Sequence, residues 1–328
     1  MDAAIILFET DPAFREELKK NLAGYNVIFN EGKNTDSIDA QTAGNTVVIF
    51  GNPKADFLKL CPRLKWVQLE SAGANGFING ELNESIKLTC ASGCYGHAVS
   101  EHMAALTLLL MKKLHLYRDV QFSGGWQSMG EVKSVQEAVV LVVGTGDIGT
   151  NYAWRMKGLG SYIIGIDINP YIKPDYMDEL LKLDHLDEAI KRADVVALAV
   201  PGTKDTACLI NRERLSMMKK DAVLINCCRG VVVDTEALCN ALESGALGGA
   251  ALDVTDPEPL PPGHRLWKMK NAVITPHISG ARHLRETGNY IKKLCLDNAN
   301  RFVKNEPLEN LVDYKTGFRF PAYPVAKT

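Results

Sequence analysis

The sequence predicts an α/β protein made of two doubly wound parallel sheets, and three observations carry that reading. Short apolar runs alternate with helical segments over residues 1–100. A valine-rich run at 138–143 turns through glycines into a helix, and strand–helix alternation then continues to about residue 275. Alternation of this kind implies parallel strands with helices covering both faces. A chain of 328 residues has the length for about two domains.

In the first hundred residues the candidate strands are Ala4 to Phe8, Asn26 to Phe29, Thr46 to Phe50, Trp66 to Leu69 and Ile86 to Thr89. Between the first two, Asp11 is placed to cap a helix and Pro12 to occupy its first position. The loops Ser71–Asn75 and Ala91–Gly96 follow strands directly, where open α/β sheets place ligands. The small residues Ala72, Gly73 and Ala74 let backbone N–H groups approach a small anion. From Ser100, read as a cap, SEHMAALTLLLMKKLHLYRDVQ is helical and apolar on most faces, so it must be buried on most faces. It is placed where the two domains meet. His102 and His115 on it read as structural.

The organising stretch runs from Ala138 to Asp167. An all-apolar, β-branched run is how a strand buried on both faces reads. The loop Gly144–Thr145–Gly146–Asp147–Ile148–Gly149 then gives G-x-G-x-x-G where strand becomes helix. A second apolar run ends in Asp167, eighteen residues past the last glycine. Such glycines allow a tight turn, close approach of a pyrophosphate, and close packing of helix on strand. The helix N-terminus favours phosphate, and the acidic residue accepts from ribose hydroxyls while repelling a 2′-phosphate. The expected cofactor is NAD rather than NADP.

Further strands are read at Val195 to Val200, ending at Pro201–Gly202, at Ala222 to Asn226, Gly249 to Val254 and Ala272 to Thr275. Counted from Val139 these make six, the number a doubly wound dinucleotide domain uses. A helix over about Arg282 to Lys304 returns the chain to the first domain. The expected division is therefore 1–101 with 288–328, the substrate domain, and 102–287, the cofactor domain.

Composition narrows the partners. Hydrophobic residues make up 46% and charged residues 23%, with 37 basic against 39 acidic side chains and a net charge of -2. That balance offers no footprint for nucleic acid or an anionic membrane. The N-terminal apolar run is too short for a signal peptide and the longest apolar stretch is about half a membrane span, so the expected location is the cytoplasm. Eight scattered cysteines without a C-x-x-C pair suggest neither a disulfide framework nor a zinc site; no metal is expected.

Three strand ends carry the candidate chemistry. Asn226-Cys-Cys-Arg229-Gly230 sets an arginine past a buried strand. Asp253-Val-Thr-Asp-Pro-Glu258-Pro-Leu sets an aspartate at a strand end and a glutamate in the loop after it. Thr275-Pro276-His277-Ile-Ser-Gly280 sets a histidine past the next strand. All belong on the carboxyl edge, the side where a cofactor binds.

With these residues in place the chain resembles the D-2-hydroxyacid dehydrogenases, the D-isomer-specific NAD-dependent family, over nearly its full length. The landmarks are S-A-G-A at Ser71 to Ala74, S-E-H at Ser100, G-T-G-D-I-G, N-C-C-R-G, D-V-T-D-P-E-P-L and T-P-H-I-S-G. The resemblance implies a flavodoxin-like substrate domain, a Rossmann cofactor domain, a cleft between them and usually a homodimer. By position it implies that Arg229 binds the carboxylate and keto oxygen of a 2-keto acid, that His277 exchanges the proton, and that Glu258 holds the His277 ring. It also implies that Asp253 meets the nicotinamide carboxamide and that Ala72–Ala74 take the remaining carboxylate oxygen. Pro201 joins the cofactor set.

The expected activity is hydride transfer between NAD(H) and C2 of a small 2-keto or D-2-hydroxy acid. The rival outside catalysis is an NAD(H)-sensing corepressor or scaffold on the same fold. A formate- or phosphite-type dehydrogenase is the rival within it, and Glu258 argues against the formate enzymes. No cationic cluster accompanies the Ser71 loop, which argues against a phosphorylated substrate. Substrate-discriminating contacts are assigned to loops near Tyr95 and Trp267, although Trp267 reads first as a core residue. His97, His185, His264 and His283 read as solvent-facing or structural.

Overall fold

The computed structural model describes residues 1–319 except 33, 34, 75, 79, 81, 171, 281–283 and 316. Its chain opens with β1 (Ala3–Ile6), α1 (Pro12–Asn21), β2 (Asn26–Phe29), α2 (Ala40–Gly44), β3 (Thr46–Phe50), α3 (Ala55–Lys59), β4 (Trp66–Gln68) and β5 (Lys87–Thr89). Then come α4 (Gly96–Met111), α5 (Leu114–Phe122), β6 (Val139–Val143), α6 (Asp147–Gly158), β7 (Tyr162–Asp167), β8 (Glu179–Lys182), α7 (Leu186–Arg192) and β9 (Val195–Leu198). The series continues with α8 (Arg212–Met217), β10 (Val223–Asn226), α9 (Thr235–Glu243), β11 (Gly249–Leu252), β12 (Ala272–Ile274) and α10 (Arg285–Val303). A short hairpin, β13 (Val312–Asp313) and β14 (Phe318–Arg319), follows. Among the described residues, two compact units form, 1–95 with 284–319 and 96–280.

The first unit is a parallel sheet in the order β2-β1-β3-β4-β5. Successive side chains of a strand point to opposite faces. Ala4, Ile6, Val48 and Phe50 accordingly enter one core with Phe14, Leu18 and Trp66, while Ile5, Leu7, Ile49 and Val67 enter another with Phe57 and Leu58. Burial on both faces is why these strands are continuous apolar runs. Asp11 caps α1, its Oδ1 accepting from the Phe14 N–H at 2.9 Å with Pro12 next to it. The C-terminal helix completes this unit. Ile291, Leu294 and Ala299 of α10 join the Trp66 core, and Lys292 pairs with Asp11 at 2.5 Å.

The second unit is a seven-stranded parallel sheet, β12-β11-β10-β9-β6-β7-β8. The chain reverses direction across the sheet between β6 and β9, the switch point at which such sheets bind ligands. Six strands are expected here and seven form. The additional one, β8, is a half-buried edge strand of sequence Glu-Leu-Leu-Lys, whose two leucines give no apolar run to read.

The helix read from Ser100 also begins earlier, at Gly96, as one unbroken helix across the expected 101/102 division. Ser100 is buried inside it and its hydroxyl donates to the His97 carbonyl at 3.1 Å, so it is not the cap. One face of α4 is filled, with Met103, Leu106 and Leu110 buried and Thr107 bonded to the buried Tyr152 hydroxyl of α6 at 2.8 Å, but Ala105 is exposed and Leu108 and Leu109 are only half-buried, so the expected burial on most faces is not met.

Trp267 is 53% exposed, its indole N–H reaching only the Pro261 carbonyl at 3.0 Å, which corrects its reading as a core residue. All eight cysteines are free, and only Cys208 is exposed. Among the described residues no helix is long and apolar enough to cross a membrane, and no group of three or more His, Cys, Asp or Glu is placed to hold a metal ion.

Candidate active site

The glycine loop sits where β6 meets α6. Gly144 has φ +94°, and a side chain there would meet the Ala199 carbonyl oxygen at 2.6 Å. A Cβ on Gly149 would lie 1.9 Å from the Gly144 oxygen, so α6 can rest on the loop only with glycine here. Gly146 is different: its Cβ direction opens on empty space, at the N-terminus of α6. The N–H groups of Gly146 and Ile148 donate to no acceptor among the described residues. Unfilled space beside unused donors at a helix N-terminus is what a pyrophosphate requires.

Asp167, at the end of β7, braces this loop. Its Oδ2 accepts from Thr145 N–H at 2.8 Å and Thr145 Oγ1 at 3.1 Å, and its Oδ1 accepts from Asn169 N–H at 3.1 Å. Pro201, past β9, is exposed, and its carbonyl accepts from the Thr206 hydroxyl at 2.6 Å. The residues present fit a dinucleotide.

Past β10, Asn226 shapes the loop that carries Arg229. Buried to 1% exposure, it accepts from Cys228 N–H at 3.1 Å and donates to the Arg229 carbonyl at 3.1 Å. The Arg229 guanidinium donates to the Cys228 carbonyl at 2.6 Å, its one hydrogen bond among the described residues. Gly202 lies beneath the arginine stem, where a Cβ would meet Arg229 Cγ at 2.8 Å. At Gly230 a Cβ would fall 2.0 Å from the Thr255 oxygen, so glycine alone allows this loop to lie against the one bearing Glu258. Burial pushes the Cys228 thiol up to about 11 and raises Cys227 as well, which leaves the pair as protonated thiols filling space.

Glu258 and His277 meet. Glu258 Oε1 lies 2.5 Å from His277 Nδ1, and both side chains are about four-tenths exposed, at 41% and 44%. A carboxylate only accepts, so the shared proton sits on Nδ1. That leaves Nε2 with no partner among the described residues.

His277 adopts φ +52°, a left-handed backbone uncommon for a residue with a side chain. Its N–H is held by the Asp253 and Thr275 carbonyls at 2.8 and 3.0 Å. Asp253, 1% exposed, clamps the same turn with its side chain. Oδ1 accepts from Thr275 Oγ1 at 2.5 Å and Ile278 N–H at 3.0 Å, and Oδ2 from Ser279 N–H at 2.9 Å. Burial works to raise the Asp253 pKa, but the hydrogen bonds from Ser279, Thr275 and the backbone outweigh it and hold the carboxyl below its usual range.

In the first unit, the N–H groups of Ala72, Gly73 and Ala74 donate to no acceptor among the described residues, and Ser71 Oγ closes the turn on the Gly73 carbonyl at 2.8 Å. Asn75 lies outside the described residues, as do Arg282 and His283. Tyr95, half-buried, donates to the Glu70 carbonyl at 2.5 Å. Two contacts have no local signal in the sequence: Gly202 under Arg229, and His102 of α4, whose Nε2 lies 3.1 Å from Thr275 Oγ1.

A glycine-looped, seven-stranded parallel sheet with an acid-held imidazole on its carboxyl edge defines a dinucleotide-dependent oxidoreductase. Comparison with known proteins agrees. Residues 104–279, more than half of the chain, match the family model for the NAD-binding domain of D-isomer specific 2-hydroxyacid dehydrogenases. The chain is 33% identical over 276 residues to a glyoxylate reductase of Thermofilum pendens, covering 82% of this chain and 76% of that protein. A crystal structure of a D-isomer specific 2-hydroxyacid dehydrogenase family protein from Aeromonas salmonicida superposes with TM-score 0.83 at 27% identity, covering 96% of this chain and 100% of that one. Another such dehydrogenase, from Xanthobacter autotrophicus Py2 in complex with NADPH and MES, gives TM-score 0.81 at 25% identity, with 97% and 99% covered.

The chain belongs to the D-isomer-specific 2-hydroxyacid dehydrogenase family. It is an oxidoreductase of small hydroxy and keto acids that uses a nicotinamide cofactor.

Proposed function

We propose that the protein reduces a small 2-keto acid to the D-2-hydroxy acid with NADH, residues 96–280 holding the cofactor. The observation that carries this is the His277 ring, held at Nδ1 by Glu258 with Nε2 left to exchange a proton. When bound, the nicotinamide supplies the hydride that C2 receives. His277 delivers the proton to the substrate oxygen through Nε2, and in oxidation takes it back; histidine suits both directions because it titrates near neutral pH.

Arg229 pairs with the substrate carboxylate and polarises the keto oxygen, its planar fork matching two acceptors at once. The unused N–H groups of Ala72, Gly73 and Ala74 are assigned to a substrate anion. Gly144 to Gly149 receive the pyrophosphate and Pro201 lies along the cofactor. Asp253 serves the nicotinamide end through the turn it clamps. Asp167 accepts from the ribose hydroxyls and repels a 2′-phosphate, which favours NAD over NADP.

We assign the protein to the cytoplasm, where eight free thiols suit a reducing compartment. We also assign it to a homodimer: α5 buries no residue, and Phe122 at its end and Trp126 beyond it are 81% and 102% exposed, apolar surface that a second copy would cover. Steady-state oxidation of NADH and NADPH across 2-keto acids of graded size tests the central reading. Turnover with at least one small keto acid, faster with NADH, is expected. Cofactor binding without turnover of any of them would replace the enzyme with an NAD(H)-sensing scaffold.

A further inference from the structure

The turn that presents His277 is anchored at a second point, away from Glu258. His102, on the second turn of α4, places Nε2 3.1 Å from Thr275 Oγ1 and 3.8 Å from Asp253 Oδ1. Thr275 Oγ1 is in turn 2.5 Å from Asp253 Oδ1. A threonine hydroxyl has one proton, and a carboxylate can only accept it. The proton therefore lies between Thr275 and Asp253, and the remaining lone pairs of Oγ1 must accept from His102. The geometry thus fixes the His102 tautomer, with its proton on Nε2.

Asp253 then gathers Thr275, His277, Ile278 and Ser279, through its carboxylate and its backbone carbonyl. On the far side, α4 is immobilised by buried Met103 and by the Thr107–Tyr152 bond at 2.8 Å. A left-handed φ at a non-glycine residue persists only where surrounding contacts hold it.

We propose that His102 and Thr275 are positioning residues for His277. They tie the 275–279 turn to α4 through Asp253, so that the imidazole is held in its proton-exchanging orientation. The inference rests on the reading of His277 as the proton carrier. Among the described residues His102 bonds to neither His277 nor Glu258, and it acts through the Thr275 hydroxyl and the Asp253 carboxylate behind it.

The test uses the full chain and four variants, Thr275→Val, Thr275→Ser, His102→Leu and His102→Gln. Expected first is a ring-nitrogen NMR signature of His102 with the proton on Nε2; the opposite tautomer overturns the proposal without any assay of turnover. In kinetics, Thr275→Val should lower kcat by about tenfold or more and His102→Leu by roughly 3- to 10-fold. KM and the nicotinamide Kd should stay within about twofold of wild type.

Thr275→Ser and His102→Gln, which keep an oxygen and an N–H in place, should recover most of the loss. Loss of kcat and KM together with no recovery in these two variants would mean a general structural role and sink the proposal, as would unchanged kcat in His102→Leu. If Thr275→Val does not fold, the His102 pair decides. Failure of the underlying reading shows itself separately, as full activity in His277→Ala. In that event the His277 ring resonances of the four variants still report whether the turn has moved.

Discussion

Both units are parallel sheets covered on two faces, yet their carboxyl-edge loops hold different chemistry. In the first, Ser71–Ala74 offers backbone N–H groups and no titratable side chain. In the second, the loops after β10, β11 and β12 carry Arg229, Glu258 and His277. The strands beneath are much the same, short runs of valine, isoleucine, leucine and alanine. The sheet therefore sets where a loop emerges, and the loop sets what can react. Damage to the two should separate, a core substitution lowering stability and a loop substitution lowering rate.

The sharpest break falls on the second unit's loops. His277→Ala should lower kcat by about 10²–10⁴-fold while nicotinamide binding and thermal stability stay near wild type; steady-state kinetics with a cofactor titration reads both. Next comes the core of the first unit. Trp66 is fully buried, stacks on Phe302 at 5.1 Å and donates to Thr89 Oγ1 at 2.8 Å. Trp66→Ala should cost about 3–5 kcal/mol in chemical denaturation and leave cofactor affinity unchanged, since its contacts lie outside residues 96–280.

Gly146→Ala sharpens the comparison within a single loop. The methyl group enters open space, so stability should hold, but it occupies the space assigned to the pyrophosphate, and NADH Kd should rise roughly tenfold or more by fluorescence titration. Asp167→Ala should narrow the NADH-over-NADPH preference by a smaller factor, read as a ratio of kcat/KM values; an unchanged ratio would place ribose recognition elsewhere.

The smallest effect is one of pH. The folded pKa of Asp253 lies below its unfolded value near 4. Its stabilisation is thus fully present above that value and is lost as pH falls through the lower, folded one. Asp253→Asn should flatten the acid limb of unfolding below about pH 4, a change visible in melts across pH.

What the chain disclosed by itself follows burial. Val139–Val143 and Thr46–Phe50 are legible because strands covered on both faces must be continuously apolar. The glycine loop is legible because its backbone geometry admits few residues. By contrast β8, at an edge with two leucines to bury, carries too little pattern to read. The helix start at Gly96 is hidden because Ser100, a good capping residue, bonds back along the helix instead.

In the site, Glu258 and His277 are 19 residues apart, and their pairing came from family resemblance rather than from spacing. His102 and Thr275 are 173 residues apart, and no local signal joins them. Trp267, apolar enough to suggest the interior, stands in solvent.

The return of α10 to the first sheet has a consequence for biogenesis. Residues 96–280 are contiguous and can reach their native form while translation is still under way. The N-terminal sheet emerges first but lacks Ile291, Leu294 and Ala299, which seal one of its faces. That half of the molecule must wait, partly uncovered, until the ribosome has delivered α10, which makes it the half with the greater need of chaperone protection.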